Sequence, residues 1–289
     1  MATVARPKHV VGATDLSEPA AVALARAGRL ATEHRATLTA LHVMERGATA
    51  DLTDAARAAL SVHVNALAEC TPTTVSVRRG RAAVEITAEV AQNAADVVVV
   101  GDRGQRGLAE AFLGTTAENV VHMSPVPVLV AKRPATQRYE RVVLAVDTTA
   151  ESAEAARFGC ALTPAAQHIV VHACTVVGEN LLRMYGVDDA EVDRLREVAT
   201  EDARRYVAQL SETLTPRPHE VMVTTGHPPT RLAELSRSRS TDLIVVGTGA
   251  RSPVSYAFLG SVAQHVLREA RCDVLVVPSP GAASEVGSE

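Results

Sequence analysis

The chain has 289 residues, 47% of them hydrophobic and 21% charged, with a net charge of −4. Length and apolar content fit about two domains with sizeable cores and exclude a disordered chain. Aromatic residues are only 2% and Trp is absent, which argues against base-stacking platforms for single-stranded nucleic acid. No Lys/Arg block reads as a nucleic-acid footprint, and Arg79-Gly80-Arg81 reads as a solvated loop.

The opening MATVARPKHVVGATD is expected not to be a signal peptide, because its apolar stretch is short and interrupted by Asp15. No apolar run reaches membrane-spanning length. The predicted elements then follow in order. An apolar strand ends at Asp15, a small-residue turn leads into an Ala-rich helix, and a strand carries His42. Gly80 comes later, followed by the strand DVVVV, the loop GDRGQRGLAEAFLGTT (Gly101 to Thr116) and the closing strand PVPVLVAK. After a join near KRPATQRYE (Lys132 to Glu140) the series repeats with Asp147, His172, Gly226, DLIVV, the loop GTGARSPVSYAFLGSV (Gly247 to Val262) and CDVLVVP. The spacing therefore predicts domains at 1–135 and 139–280, with a disordered tail at 281–289.

Asp147 follows Asp15 by 132 residues and His172 follows His42 by 130, but Gly226, Gly247 and Gly260 follow Gly80, Gly101 and Gly114 by 146. The second copy thus holds a 16-residue insertion between His172 and Gly226. From Asp188 onward it reads as a helix, with Val192, Leu195 and Val198 as its apolar stripe. Near-continuous Val/Ile/Leu strands mean parallel sheets covered on both faces by helices. Right-handed crossovers place every strand-to-helix loop at the carboxyl edge, where ligands bind at the point of strand-order reversal.

The first glycine loop has the features of a phosphate cradle. Gly101 ends a strand where a side chain would meet the loop, Gly104 permits positive φ, and Gly114-Thr115 precedes a helix. Thr115 or Thr116 is expected to cap that helix, with Glu118 in its first turn. A helix start behind a bare glycine offers N–H groups and positive dipole to an anion. The loop is neither a Walker A motif nor the dinucleotide fingerprint.

The pattern G-x2-G-x9-G-[S/T] after the fourth strand, with VVGATDLSEPA, LHV, Gly80 and PVPVLV, resembles the universal stress protein family, and the two copies resemble its tandem members. The resemblance implies two Rossmann-like open parallel five-stranded α/β units of the adenine nucleotide alpha hydrolase type, packed as a pseudo-dimer through their closing strands. It implies ATP, or AMP, ADP or cyclic AMP, with Mg²⁺ as a candidate companion. Carried over, Asp15 lies by the nucleotide, the Val43 backbone addresses adenine, and Gly101, Asp102, Arg103, Gly104, Gly114, Thr115 and Thr116 hold ribose and phosphates. Asp15 could instead cap its own turn, and Arg103 could be a solvated loop residue. The implied role is stress signalling by nucleotide-dependent binding to an unknown protein, without nucleic acid or membrane, in a bacterial cytoplasm; a homodimer is open.

In the second copy Asp147, Ala173, Gly247, Thr248, Ala250, Gly260, Ser261 and Val262 occupy the matching positions. Ala250 replaces the second glycine, Thr248-Gly249 replaces Asp102-Arg103, and Pro253 replaces Gly107. A weaker site or a purely structural partner is expected there, although Gly249 could shift the turn by one residue. No catalytic residue is expected: GxSxG is absent, Glu110 has no obvious partner, and slow ATP hydrolysis is the most that Mg²⁺ and a water would give. His168 and His172 share a strand face but lack further zinc ligands, and read as structural. The four cysteines form no CxxC and read as buried, reduced, cytosolic thiols. An adenylyl-transferring enzyme and a nucleotide-free scaffold are the rival readings.

Overall fold

The computed structural model describes residues 6–67, 71–103, 114–174, 184–185, 187–237, 240–249 and 259–279. The first copy runs β1 (His9–Thr14), α1 (Glu18–His34), β2 (Thr37–Met44), α2 (Ala50–Asn65), β3 (Thr73–Arg79), α3 (Ala82–Gln92), β4 (Val97–Gly101), α4 (Thr115–Met123) and β5 (Val128–Ala131). The second runs β6 (Arg141–Ala145), α5 (Ala150–Leu162), β7 (Gln167–Cys174), α6 (Asp189–Thr213), β8 (Glu220–Thr225), α7 (Pro228–Arg237), β9 (Leu243–Gly247), α8 (Ser261–Glu269) and β10 (Asp273–Val277). The tail expected to be disordered lies outside the described residues.

All ten strands join in one sheet, ordered β3-β2-β1-β4-β5-β10-β9-β6-β7-β8. Pairing is parallel within each copy and antiparallel at the seam, where Val130, Leu129 and Val128 face Val274, Leu275 and Val276. The expected pairing of the closing strands is therefore present. The VVVV of β4 and the LIVV of β9 are buried throughout, as strands covered on both faces must be. One core cluster joins α1, α5 and α6 to one face of the sheet, and a second joins α3, α4, α7 and α8 to the other. Each cluster crosses the seam.

The copies share an edge device. Asp96 Oδ2 accepts from the N–H groups of Lys8 (2.7 Å) and His9 (2.9 Å), and Asp242 Oδ2 accepts from Glu140 and Arg141 (both 2.9 Å). The aspartate before each fourth strand thus anchors the start of the first. The seam itself is asymmetric. Asp273 is fully buried; its Oδ1 accepts from Lys132 N–H (2.8 Å) and Arg133 N–H (3.0 Å), and its Oδ2 accepts from Tyr139 OH (2.6 Å). Arg26 Nε lies 3.2 Å from Oδ2, an ion-pair contact short of hydrogen-bond alignment, and its guanidinium stacks 4.2 Å from the Tyr139 ring centroid. Pro127 occupies the corresponding place in the first copy.

The inserted segment corrects one expectation. α6 has 25 residues against 16 in α2 and is capped by Asp188, but Leu195 and Val198 are exposed. Its buried stripe is Val192, Ala203, Val207 and Leu210. A strict three-residue step falls behind the 3.6-residue turn and walks off the buried face; the buried residues instead lie 11, 4 and 3 apart, close to whole turns.

His168 is buried, and its Nε2 lies 2.9 Å from Thr163 Oγ1, which donates to Gly159 O. Nε2 must then carry the proton, leaving Nδ1 buried without a partner. Burial pushes the pKa of this imidazole down to about 4 from 6.5. Between those values the unfolded chain binds more protons, so stability falls as pH drops through that window and levels off below it. The loss should reach roughly 3 kcal/mol at most. Urea midpoints at pH 7 and pH 4.5 should differ less in His168→Gln than in wild type; equal pH dependence would remove His168 as the cause. Asp273→Asn should cost about 3–5 kcal/mol, because Arg26 is left buried without its counter-charge. An unchanged denaturation midpoint would show that the pair does not support the seam.

Candidate functional site

In each copy the strand order reverses between the first and fourth strands, at β1/β4 and at β6/β9. Asp15 follows β1, Val43 lies near the end of β2, Gly101 ends β4, and Gly114 precedes α4. The fold thus brings these residues to the carboxyl edge of the first copy. Asp147, Ala173, Gly247 and Gly260 take the same places in the second. Because the seam is antiparallel, the two candidate sites lie on opposite edges of the sheet. Gly104 and Ala250 lie outside the described residues, as do Gly107, Glu110 and Pro253.

The two loops close in the same way. Asp102 N–H donates to Ala131 O (3.2 Å), and Gly114 N–H donates back to Asp102 O (2.7 Å). Thr248 N–H donates to Val277 O (3.1 Å), and Gly260 N–H donates to Thr248 O (2.9 Å). A Cβ on Gly114 would sit 3.2 Å from Asp102 O, and one on Gly260 would sit 2.9 Å from Thr248 O. Both helix starts are therefore pressed onto backbone: a side chain at Gly260 would force a shift, and one at Gly114 would need Asp102 O to give by a few tenths of an ångström.

Thr115 and Thr116 do not cap α4, contrary to expectation. The N-cap is Gly114, with no side-chain cap, and Thr115 and Thr116 are the first two helical residues. α8 starts likewise, with Gly260 as N-cap and Ser261 and Val262 following. The hydroxyls come one position too late because glycine takes the extended cap conformation itself. By contrast Ser17, Thr49, Thr149 and Asp188 cap α1, α2, α5 and α6 with their own side chains. The helix starts at the two loops present backbone N–H groups and the positive end of the dipole.

Asp15 ties its own turn: Oδ1 accepts from Ser17 N–H (3.0 Å) and from Ser17 Oγ. Asp147 does the same with Thr149 N–H (2.8 Å) and Thr149 Oγ1. Burial pushes the Asp147 carboxyl up, but hydrogen bonds from Thr149 and Ser152 outweigh it and hold its pKa below the ordinary value. Between Asp15 and Ser17, Leu16 adopts a left-handed backbone at φ 64°, a strained choice for a side-chain-bearing residue. Thr148, its counterpart, does not.

His42 Nδ1 lies 2.9 Å from Thr14 O, which fixes the ring beside Val43. His172 holds the matching place; burial lowers its pKa, against the opposing pull of the Val146 backbone and Asp147. Asp102 pairs with Arg103, whose Nε is 3.3 Å from Asp102 Oδ2 and whose side chain is 40% exposed. In the second loop Gly249 holds φ +83°, so a left-handed turn is supplied one residue before Ala250. Ser279 Oγ lies 3.2 Å from Thr248 Oγ1 and 3.3 Å from Gly249 O. Sequence reasoning missed Lys132, which follows β5 beside Asp102; its only signal was a lysine where the second copy has Pro278. Among the described residues no group of three or more His, Cys, Asp or Glu side chains could hold a metal ion, and no helix is long and apolar enough to cross a membrane.

Comparison with known proteins agrees with this architecture. Residues 7–132 and 138–278 each match the model of the universal stress protein family. Universal stress protein Rv2005c of Mycobacterium tuberculosis (strain H37Rv) is 29% identical over 191 residues, covering 64% of this chain and 62% of that protein. The match thus spans under two thirds of the relative's length. Universal stress protein MJ0531 of Methanocaldococcus jannaschii is 34% identical over 80 residues, 28% of this chain and 46% of that protein. Among solved structures, protein PA1789 of Pseudomonas aeruginosa superposes with a TM-score of 0.66 at 19% identity, covering 94% of this chain and 93% of that one. A universal stress protein from Archaeoglobus fulgidus gives 0.62 at 20% identity, covering 94% and 97%. Both show the same fold. With two family matches covering nearly all of its length, this chain belongs to the universal stress protein family, as a tandem member.

Proposed function

We propose that the first copy binds an adenine nucleotide and that the chain works as a nucleotide-dependent binding module. The observation that carries this reading is the start of α4. It is pressed onto the Asp102 carbonyl, carries no side-chain cap, and lies at the strand-order reversal. Such a terminus suits phosphate. Gly101, Asp102, Arg103, Gly104, Gly114, Thr115 and Thr116 would hold ribose and phosphates, with Val43 at the base and Asp15 bracing the turn between β1 and α1. Arg103 would turn from Asp102 toward the phosphates, a small move for an exposed side chain. ATP is the proposed ligand, with AMP, ADP and cyclic AMP as competitors to be ranked. Mg²⁺ would be held by the phosphates rather than by a dedicated carboxylate cluster.

The second copy is proposed as the weaker site. Its loop has no charged pair at Thr248-Gly249, and Ser279 laces across those residues. Gly249 nonetheless supplies a positive φ, so Ala250 alone does not disable the turn. The left-handed Leu16 has no counterpart at Thr148, a further difference between the two turns.

Nucleotide released from the purified, denatured protein tests this. About one adenine nucleotide per chain is expected. Gly114→Val should lower ATP affinity by about tenfold or more, since the new side chain must push Asp102 away. Gly260→Val should leave that affinity unchanged. Two equal tight sites would sink the asymmetry. No nucleotide, and no calorimetric binding of added ATP, would sink the reading and favour a nucleotide-free scaffold.

A further inference from the structure

Helix α8 links the two candidate sites. It starts at Gly260 in the second loop, and its nine residues span about 13 Å. Because β10 runs antiparallel to β5, the last turn of α8 arrives at the carboxyl edge of the first copy. There Lys132, directly after β5, donates from Nζ to Leu267 O (2.6 Å) and Ala270 O (2.8 Å). Ala270 is the C-cap of α8. The ammonium thus covers the negative end of the helix whose positive end forms the second cradle.

Lys132 also lies beside the first loop. Asp102 N–H is bonded to Ala131 O, the residue just before it. The ammonium is attracted by Asp102 and repelled by Arg103, and its burial depresses its pKa below the ordinary lysine value. A desolvated cation is drawn strongly by a new anion nearby. Position 278, its counterpart, is proline. The contact therefore runs one way, from the first loop to the helix of the second.

We infer that Lys132 couples the two copies: phosphate at the uncapped start of α4 draws its ammonium off the carbonyls of α8, and the last turn of α8 loosens. This rests on the nucleotide-binding reading above. It makes the first copy the sensor and α8 the element that answers.

The test uses the full chain and ATP, with calorimetry for occupancy and amide hydrogen exchange for α8. Saturating ATP should speed exchange in the last turn of α8 by about twofold to fivefold, the effect of losing one cation at a helix end. In Lys132→Met those amides should already exchange at the faster rate without ATP and should not respond to it. Lys132→Arg should keep the slow exchange and the response. ATP bound by wild type with α8 exchange unchanged would overturn the coupling and leave nucleotide binding intact. A response that survives in Lys132→Met, or is lost in Lys132→Arg, would equally overturn the role of the charge. Absence of ATP binding to wild type would overturn the nucleotide reading, and the coupling with it. If Lys132→Met fails to fold, the wild-type comparison with and without ATP still decides.

Discussion

A single buried carboxylate organises the seam. An ionised Asp273 is tolerable in the core only if cations and N–H donors surround it. The chain leaving β5 must therefore turn back to offer the Lys132 and Arg133 amides, and then Tyr139, while α1 must bring Arg26. Burial, and then the Asp273 charge, raise the Tyr139 pKa well above its ordinary value, so the hydroxyl keeps its proton and acts as donor. Arg26 and Arg29 reach on to the carbonyls of Gln137 and Ala135, fixing the path of the join. With that path set, β5 and β10 have one register.

From the register follows the placement of both candidate sites. Antiparallel pairing sends the two carboxyl edges in opposite directions, so ligands of the two copies would never meet directly. Any influence between them has to travel along an element that crosses the sheet. Helices following the fourth strands do that, and on the shared face Arg268 of α8 reaches Glu118 of α4 (3.0 Å). That exposed pair contributes little energy. The buried, charge-capped end of α8 is the stiffer connection.

Much of this was legible from residues. The repeat offsets gave the two copies, the continuous Val runs gave parallel strands buried on both faces, and Gly101 and Gly114 marked where backbone meets backbone. Three things were not. The cap of α4 is glycine and not threonine, since a tight turn and a hydroxyl compete for the same position. The buried face of α6 differs from a three-residue reading because Leu195 and Val198 sit just past it. Asp273 and Lys132 gave almost no signal, because their meaning depends on contacts more than 130 residues away along the chain. Of the two readings of Asp15, the bracing of its own turn is visible in its bonds to Ser17.

The antiparallel junction of β5 with β10 has a consequence for how the two halves can diverge. When identical chains associate, every substitution arises twice, and a buried acid opposite its own copy would repel itself. Here the partners are tethered by a short join, so they meet at any dilution. Each half can then change independently. Asp273 can stand opposite a half that carries Pro127, and Lys132 opposite one that carries Pro278. Covalent fusion is what permits a polarity between two otherwise equivalent units.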